Sequence, residues 1–544
     1  MKTNLFNSRK ISLLIANLLL INIYAFGTTY TAVTSGNWSS ALTWGGTRPP
    51  FTLGVTDQVN IGAGITVTMD SNANISGLLS QLSVTGTLTT ATNTLTVTSG
   101  TLAGTGTIVV NGLVLAATST FSFTGTVTAN TFSNSIASLT MSAKTTVKNA
   151  LNLMGIISIQ AGGNITMGSL SVINVSGAQI DLSGGTLGLT STYDVNYISS
   201  SASTGMELSG TGLRKVTVNV TIANSVVLGS NLATNDSLKM LSGALTLNGY
   251  TLTINKSVSG TGTFTGDASA DMTVNTPGGI SVPISFTSGS EMLNNLTLNV
   301  GSGNSVALGS ALTVSGTLNL VSGSKFDISG NALTMSGNFN GTGSIVVNSA
   351  SSVTINSASS ITTPIAFSGS SMASFTLNVG GGNTVTLGSD LAVANSFSMQ
   401  SGTLVLNGNN LSIMGDIVAS GSGLIASSSA SNITVSSAVS PSGSLSFQYP
   451  NNIVNNFNVS IGAAGTVSLG SDMVVDGSLN FVSGHVDVVG NNMQIASSGS
   501  ITGANSNSYV ITETGGYLTV NATLSGPANL PVGTASYYFP ASIT

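Results

Sequence analysis

The sequence predicts an all-β protein: a right-handed parallel β-helix, or β-solenoid, built on sequence repeats of about 80 residues. Three observations predict it. Short apolar–polar alternations recur along the chain, two independent markers return in step at one spacing, and only 5% of the 544 residues are charged.

The alternations come first. Apolar residues alternate with Thr, Ser or Asn over four to six positions, as in Leu296-Thr297-Leu298-Asn299-Val300 and Leu404-Val405-Leu406. A period of two marks half-buried strands. Gly and Asn-Gly pairs separate them, as at Asn248-Gly249 and Asn407-Gly408. These residues tolerate the left-handed backbone that a tight bend needs. Beyond the N-terminus no stretch carries a helical period.

The repeats come second. The tripeptide LGS begins at Leu228, Leu308, Leu387 and Leu469, at spacings of 80, 79 and 82 residues. A Ser-Gly pair begins at Ser242, Ser322, Ser401 and Ser483, at the same three spacings. Two markers moving together define a true repeat. In a solenoid each repeat would hold four coils of roughly 20 residues, and a more degenerate relative would occupy about 134–214. The alternative is a string of β-sandwich domains, since a single sandwich also takes roughly 100 residues. The solenoid is favoured because the runs are short and both Trp residues precede residue 45. No repeat unit shows the large buried aromatic that often anchors a sandwich. Rows of Thr, Ser and Asn also suit side-chain ladders between stacked coils. Strand direction separates the two architectures.

The chain then divides into a signal peptide at 1–27, an N-terminal cap at 28–75 and degenerate coils at 76–214. Four repeats follow at 215–504, and a C-terminal β segment at 505–544. The signal peptide reads from Lys2, Arg9 and Lys10, the apolar run from Ile11 to Ile23, and the small residues Ala25 and Gly27. It predicts export, with a secreted or cell-surface location and no membrane insertion after cleavage. Past residue 25 no apolar run approaches the roughly 20 residues of a spanning helix.

Composition excludes several functions. Disordered chains are depleted in the Val, Ile and Leu that abound here. There is no cysteine, so disulfides and thiolate metal sites are excluded. Without the first 27 residues the chain keeps eight Lys and Arg against sixteen Asp and Glu, and none of the basic residues follows Lys325. Binding phosphate backbones needs several cations on one face, so nucleic acid is not expected as a partner.

The two ends differ from the middle, as end units of a solenoid should. The segment SGNWSSALTWGGTRPP precedes DQVNIGAGITVTMD. Trp38, Trp44, Gly45, Gly46, Asp57, Val59, Ile61, Gly64, Thr66, Val67 and Thr68 together resemble the N-terminal cap of secreted, adhesin-like β-solenoid proteins of the Bacteroidetes. The resemblance covers about 45 residues and implies architecture and export rather than an activity. The C-terminal segment, with Tyr509, Tyr517, Tyr537, Tyr538 and Phe539, resembles the stretch that in those proteins leads into a small β-sandwich and a sorting domain. The chain ends on Ile543-Thr544 within a strand pattern, so a longer natural C-terminus is expected.

A search for chemistry yields little. Parallel β-helices include polysaccharide-active enzymes, which need clustered carboxylates, often with calcium or a basic residue. The best cluster is Asp472, Asp476, His485 and Asp487, with His485 and Asp487 on one face of a strand. It reads either as an acid/base or calcium site, or as solvated polar positions. The second is favoured, because other repeats carry Ser, Thr or Asn in those slots; Asp390 matches Asp472, but Asn231 and Ala311 do not. Asp267 and Asp271 form a second acidic pair, with too few oxygens nearby for a calcium loop. Gly104-Thr105-Gly106-Thr107 lacks the Lys of a phosphate loop. A single histidine leaves no Ser-His-Asp arrangement in view. Trp38 and Trp44 read as a plug for the solenoid end rather than as a sugar platform. Thr pairs such as Thr66/Thr68, Thr85/Thr87, Thr94/Thr96/Thr98 and Thr105/Thr107 would display hydroxyl rows, as some ice-binding solenoids do; strand propensity alone also favours Thr.

No catalytic, cofactor-binding or metal residue is therefore assigned, and no cofactor is expected. The expected function is non-catalytic: an exported or cell-surface solenoid with an adhesin-like or matrix role, meeting glycans or host and neighbouring cell surfaces. The alternative is a polysaccharide-binding or polysaccharide-cleaving β-helix.

Overall fold

The computed structural model describes residues 27–418, 421–462, 465–521 and 528–543. All but Gly27 of the expected signal peptide lies outside them. The chain forms two compact units, divided between Gly243 and Ala244. Each is a parallel β-solenoid with turns of about 21 residues.

Alternation produces the stacking directly. In each short strand the apolar residues point inward and lose nearly all exposure, while Thr, Ser and Asn point out. The strands Gln81–Val84 and Thr94–Val97 both show this in-and-out pattern. A single such strand cannot bury its apolar face alone. The next turn covers it and takes up its backbone N–H and C=O groups in a parallel ladder.

In the first unit each turn supplies three strands. One ladder runs through Thr29–Thr31, Gln58–Ile61, Gln81–Val84, Thr101–Gly104 and Thr120–Phe123. A second places Thr66, Thr87, Thr107 and Thr126 opposite one another on successive turns. The strand Thr107–Leu115 continues round a corner: residues 107–109 pair with Thr87–Thr89, and residues 112–115 pair with Thr94–Val97. Parallel pairing with a uniform turn length rules out the tandem-sandwich alternative.

The second unit repeats the pattern. Val306 stacks on Phe326 and Phe326 on Ile345; Leu312 stacks on Leu333 and Leu333 on Val353. Near its end the pairing changes character, because Ala528–Leu530 and Ala541–Ile543 pair antiparallel. Helical structure among the described residues is confined to three single 3₁₀ turns, Ala41–Trp44, Met206–Leu208 and Val321–Gly323.

Aromatic residues do enter the core, which corrects the reading that no unit carries a large buried one. Phe326, Phe339, Phe375, Phe397 and Phe457 are all fully buried in the second unit. They are shared out among turns instead of gathering into one anchor. Phe375 stacks on Phe397 of the next turn with ring centroids 6.0 Å apart, and Phe367 meets Phe375 edge-on at 6.4 Å. The two Trp residues lie inside the N-terminal end of the first unit, Trp38 at 1% and Trp44 at 6% exposure. The Trp44 indole N–H donates to the Trp38 carbonyl at 2.8 Å, and Phe51 stacks on Trp38 at 6.3 Å. They fill the end of the core and are not presented to solvent.

Truncating Phe375 leaves a void between two rings that cannot close without moving the ladder. The variant Phe375→Ala is expected to cost about 3–5 kcal/mol. Native-state hydrogen exchange checks this: amides of Met372–Asn378 and the adjoining strand Leu391–Ser401 should lose protection first.

Candidate functional site

The strand His485–Asp487 stacks in register on Thr466–Leu469, with His485 beside Thr466 and Asp487 beside Ser468. Val486 between them points inward and is fully buried. His485 and Asp487 thus share the outer face. The His485 ring is nevertheless only 7% exposed, because Tyr509 crosses it edge-on with ring centroids 4.4 Å apart. Tyr509 in turn packs on Tyr538 and donates its hydroxyl to the Thr534 carbonyl at 2.7 Å. Burial beneath this tyrosine lowers the His485 pKa below the ordinary imidazole range. Tyr509 thus covers one side of the ring, and burial favours the neutral imidazole.

The aspartates are engaged one by one. The Asp472 carboxylate accepts the Asn492 backbone N–H of the next turn at 2.7 Å. Asp476 accepts the Ser498 hydroxyl at 3.3 Å, and Asp487 accepts the Val489 N–H at 3.0 Å. Only His485 and Asp487 share a strand. Among the described residues no three His, Asp or Glu side chains gather where a metal ion would be held.

Asp390 explains the slot it shares with Asp472. It accepts both the backbone N–H and the side-chain amide of Asn410, at 2.8 and 3.0 Å. Asn410 then receives Asn432 at 2.7 Å, Asn432 receives Asn456 at 2.7 Å, and Asn456 accepts the Ser478 N–H at 2.9 Å. This is a polar column running turn to turn up the corner, headed by a carboxylate. Asp271 likewise accepts Asn294 and Asn295, and Asp267 accepts the N–H groups of Gly249 and Ser269. These acids set register and close turns.

The structure adds a group that sequence reasoning missed. Glu207 sits in the 3₁₀ turn Met206–Leu208 and is completely buried. Its carboxyl accepts the Tyr197 hydroxyl at 2.7 Å, the Gly205 N–H at 2.8 Å and the Ile180 N–H at 3.1 Å. The Tyr193 hydroxyl donates to the Glu207 carbonyl at 2.9 Å. Burial raises the Glu207 pKa, and the three donors offset this only in part. Burial also raises both tyrosines. The only signal in the sequence is a lapse of alternation across residues 200–212. Both arginines beyond the N-terminal segment have partners as well: Arg214 grips Asp194 with two hydrogen bonds at 2.8 and 2.7 Å, and Arg48 lies 5.6 Å over the Phe51 ring.

Among the clefts lined by described residues of the second unit, two bear on the candidate residues. The larger, about 650 Å³, is lined by Phe397, Ile417, Ile425 and Leu445 with Ser442, Ser444 and Asn491. None of Asp472, Asp476, His485 and Asp487 lines it. The smaller, about 490 Å³, includes Asp390, whose carboxylate is held by Asn410. Among the described residues no helix is long and apolar enough to cross a membrane. No protein-family model, curated protein or solved structure matches the chain.

Glu207 gives a pH test with a definite sign. A free glutamate titrates at about 4.3. A carboxyl held above that value in the fold stabilises it fully below the unfolded pKa, and the contribution disappears as pH rises through the folded value. The stability of the natural chain relative to Glu207→Gln should therefore fall as the pH is raised from about 4 through neutrality. Urea unfolding of both proteins across that range measures it; parallel curves would remove Glu207 from the account.

Proposed function

We propose that the chain is an exported β-solenoid, carried on the cell surface or released, with a non-catalytic adhesin-like or matrix role. The observation that supports this most is the character of its outer positions. They are overwhelmingly Thr, Ser and Asn, and the candidate acids are each engaged by a neighbouring backbone N–H, amide or hydroxyl, Asp390 at its cleft included. Such a surface suits broad contact with neutral hydroxylated partners, of which cell-surface glycans are the obvious class. It offers nothing to phosphate backbones, in keeping with the deficit of basic residues.

The reading includes a right-handed coil and growth by duplication of a four-turn unit of about 80 residues. Support comes from the ladder between the second and third LGS tripeptides. It steps from Ser305–Ala307 through Lys325–Asp327, Ser344–Val347 and Ile361–Gly369 to Thr384–Leu387. The likeness of the N-terminal cap to secreted Bacteroidetes solenoids, and the tripartite leader, support export.

Two measurements test the proposal together. Antibody labelling of intact cells expressing the full chain should detect it outside. A glycan array should show binding to neutral glycans, and the same protein should release no reducing sugar from them. Labelling only after lysis would contradict export. Release of oligosaccharide would replace the adhesin-like role with a polysaccharide-cleaving one.

A further inference from the structure

One face of the first unit differs from the other two. Successive turns place Thr66, Thr87, Thr107 and Thr126 in one column. Two residues along the same strands, Thr68, Thr89, Thr128, Thr146 and Thr166 form a second column, interrupted by Val109. Lys144 and Asn164 continue the first column. Between the columns Val67, Leu88, Ile108 and Val127 point inward and are fully buried, so the hydroxyls and methyls stand on the outer surface.

Strand propensity favours Thr on every face, and Thr94, Thr96 and Thr131 stand on another. Only here do Thr residues succeed one another through nearly every turn in two adjacent columns. The outer positions of the neighbouring ladder are more mixed: Thr29, Thr31, Thr101 and Thr120 alternate there with Gln58, Asn60, Gln81, Ser83, Ala103 and Ser122. The third face runs to Asn152, Asn174 and Asn196, whose amides hydrogen-bond to one another at 2.8 and 3.0 Å. The hydroxyls of Thr66, Thr87, Thr107, Thr126, Thr68, Thr89, Thr128 and Thr146 have no such partner among the described residues. The Asn face uses its outer amides turn to turn, whereas the Thr face leaves its hydroxyls available.

The array is a lattice in two directions. Turns stack about 4.8 Å apart and alternate residues along a strand lie roughly 6.6 Å apart. Both repeats fall close to the oxygen spacings on the prism face of ordinary ice. Each Thr presents a hydroxyl that can sit in the hydrogen-bond network of that lattice and a methyl that gives the surface little else to bind. The array carries no carboxylate and a single cation at its margin, so an uncharged occupant fits it better than a charged polymer. We infer that this face binds crystalline water.

The test uses the purified chain and three variants. Wild type should inhibit ice recrystallisation and facet growing crystals. The double variant Thr87→Lys/Thr128→Lys, placed within the columns, should fall to the level of buffer. Ser83→Lys and Ser122→Lys on another face should behave as wild type. Thermal unfolding by circular dichroism confirms that all remain folded, and outward-facing sites are chosen so that they do. Wild type without ice activity, or column variants as active as wild type, overturns the inference. So does column-dependent binding to crystalline cellulose or chitin without an effect on ice.

Discussion

Turn-to-turn backbone pairing in parallel register is the constraint on which everything else in this protein rests. Each turn of about 21 residues hands its N–H and C=O groups to the turn above and below. That leaves inner side chains to pack in columns and outer ones to align in rows. A residue in such a structure is never placed by its own strand alone. Thr107 faces outward because Ile108 is inward, and it faces Thr87 and Thr126 because the turn length brings them into line.

The same constraint shapes the chemistry. Outer polar groups stand about one strand spacing from an equivalent group on the next turn, so they readily hydrogen-bond along the solenoid. The column headed by Asp390 through Asn410, Asn432 and Asn456 shows the outcome: a carboxylate that looks isolated in sequence fixes the turn above it. Catalysis by paired carboxylates needs two such groups freed from their neighbours and turned toward a common point. Asp472, Asp476 and Asp487 each serve a different backbone or hydroxyl partner.

How much was legible beforehand follows from the same physics. Alternation between Leu296 and Val300 reveals a strand and its inner face without reference to anything distant. Regular spacing of LGS implies stacking, because equal intervals along the chain become equal steps of the ladder. The burial of Trp38 and Trp44 was legible because an open solenoid end must be covered. Glu207 was not, since its three donors come from Tyr197, Gly205 and Ile180, and the stretch around it carries no period. The covering of His485 by Tyr509 was equally hidden, because it depends on where the C-terminal segment lies. The buried phenylalanines were misjudged for a related reason. Distributed one turn at a time, as at Phe375 and Phe397, they give no local sign of forming a stack.

The absence of native cysteine makes the register directly measurable. Cysteine pairs introduced as Thr107→Cys with Thr126→Cys, and Thr334→Cys with Thr354→Cys, lie directly opposite each other in the two units. Their Cα separation falls within disulfide reach, which ends at about 7 Å. Mild oxidation should link both pairs rapidly. Pairs displaced along the strand, such as Thr107→Cys with Thr131→Cys, should stay reduced. Efficient linking of the displaced pair, with the in-register pairs unreactive, would contradict parallel stacking and the whole account built on it.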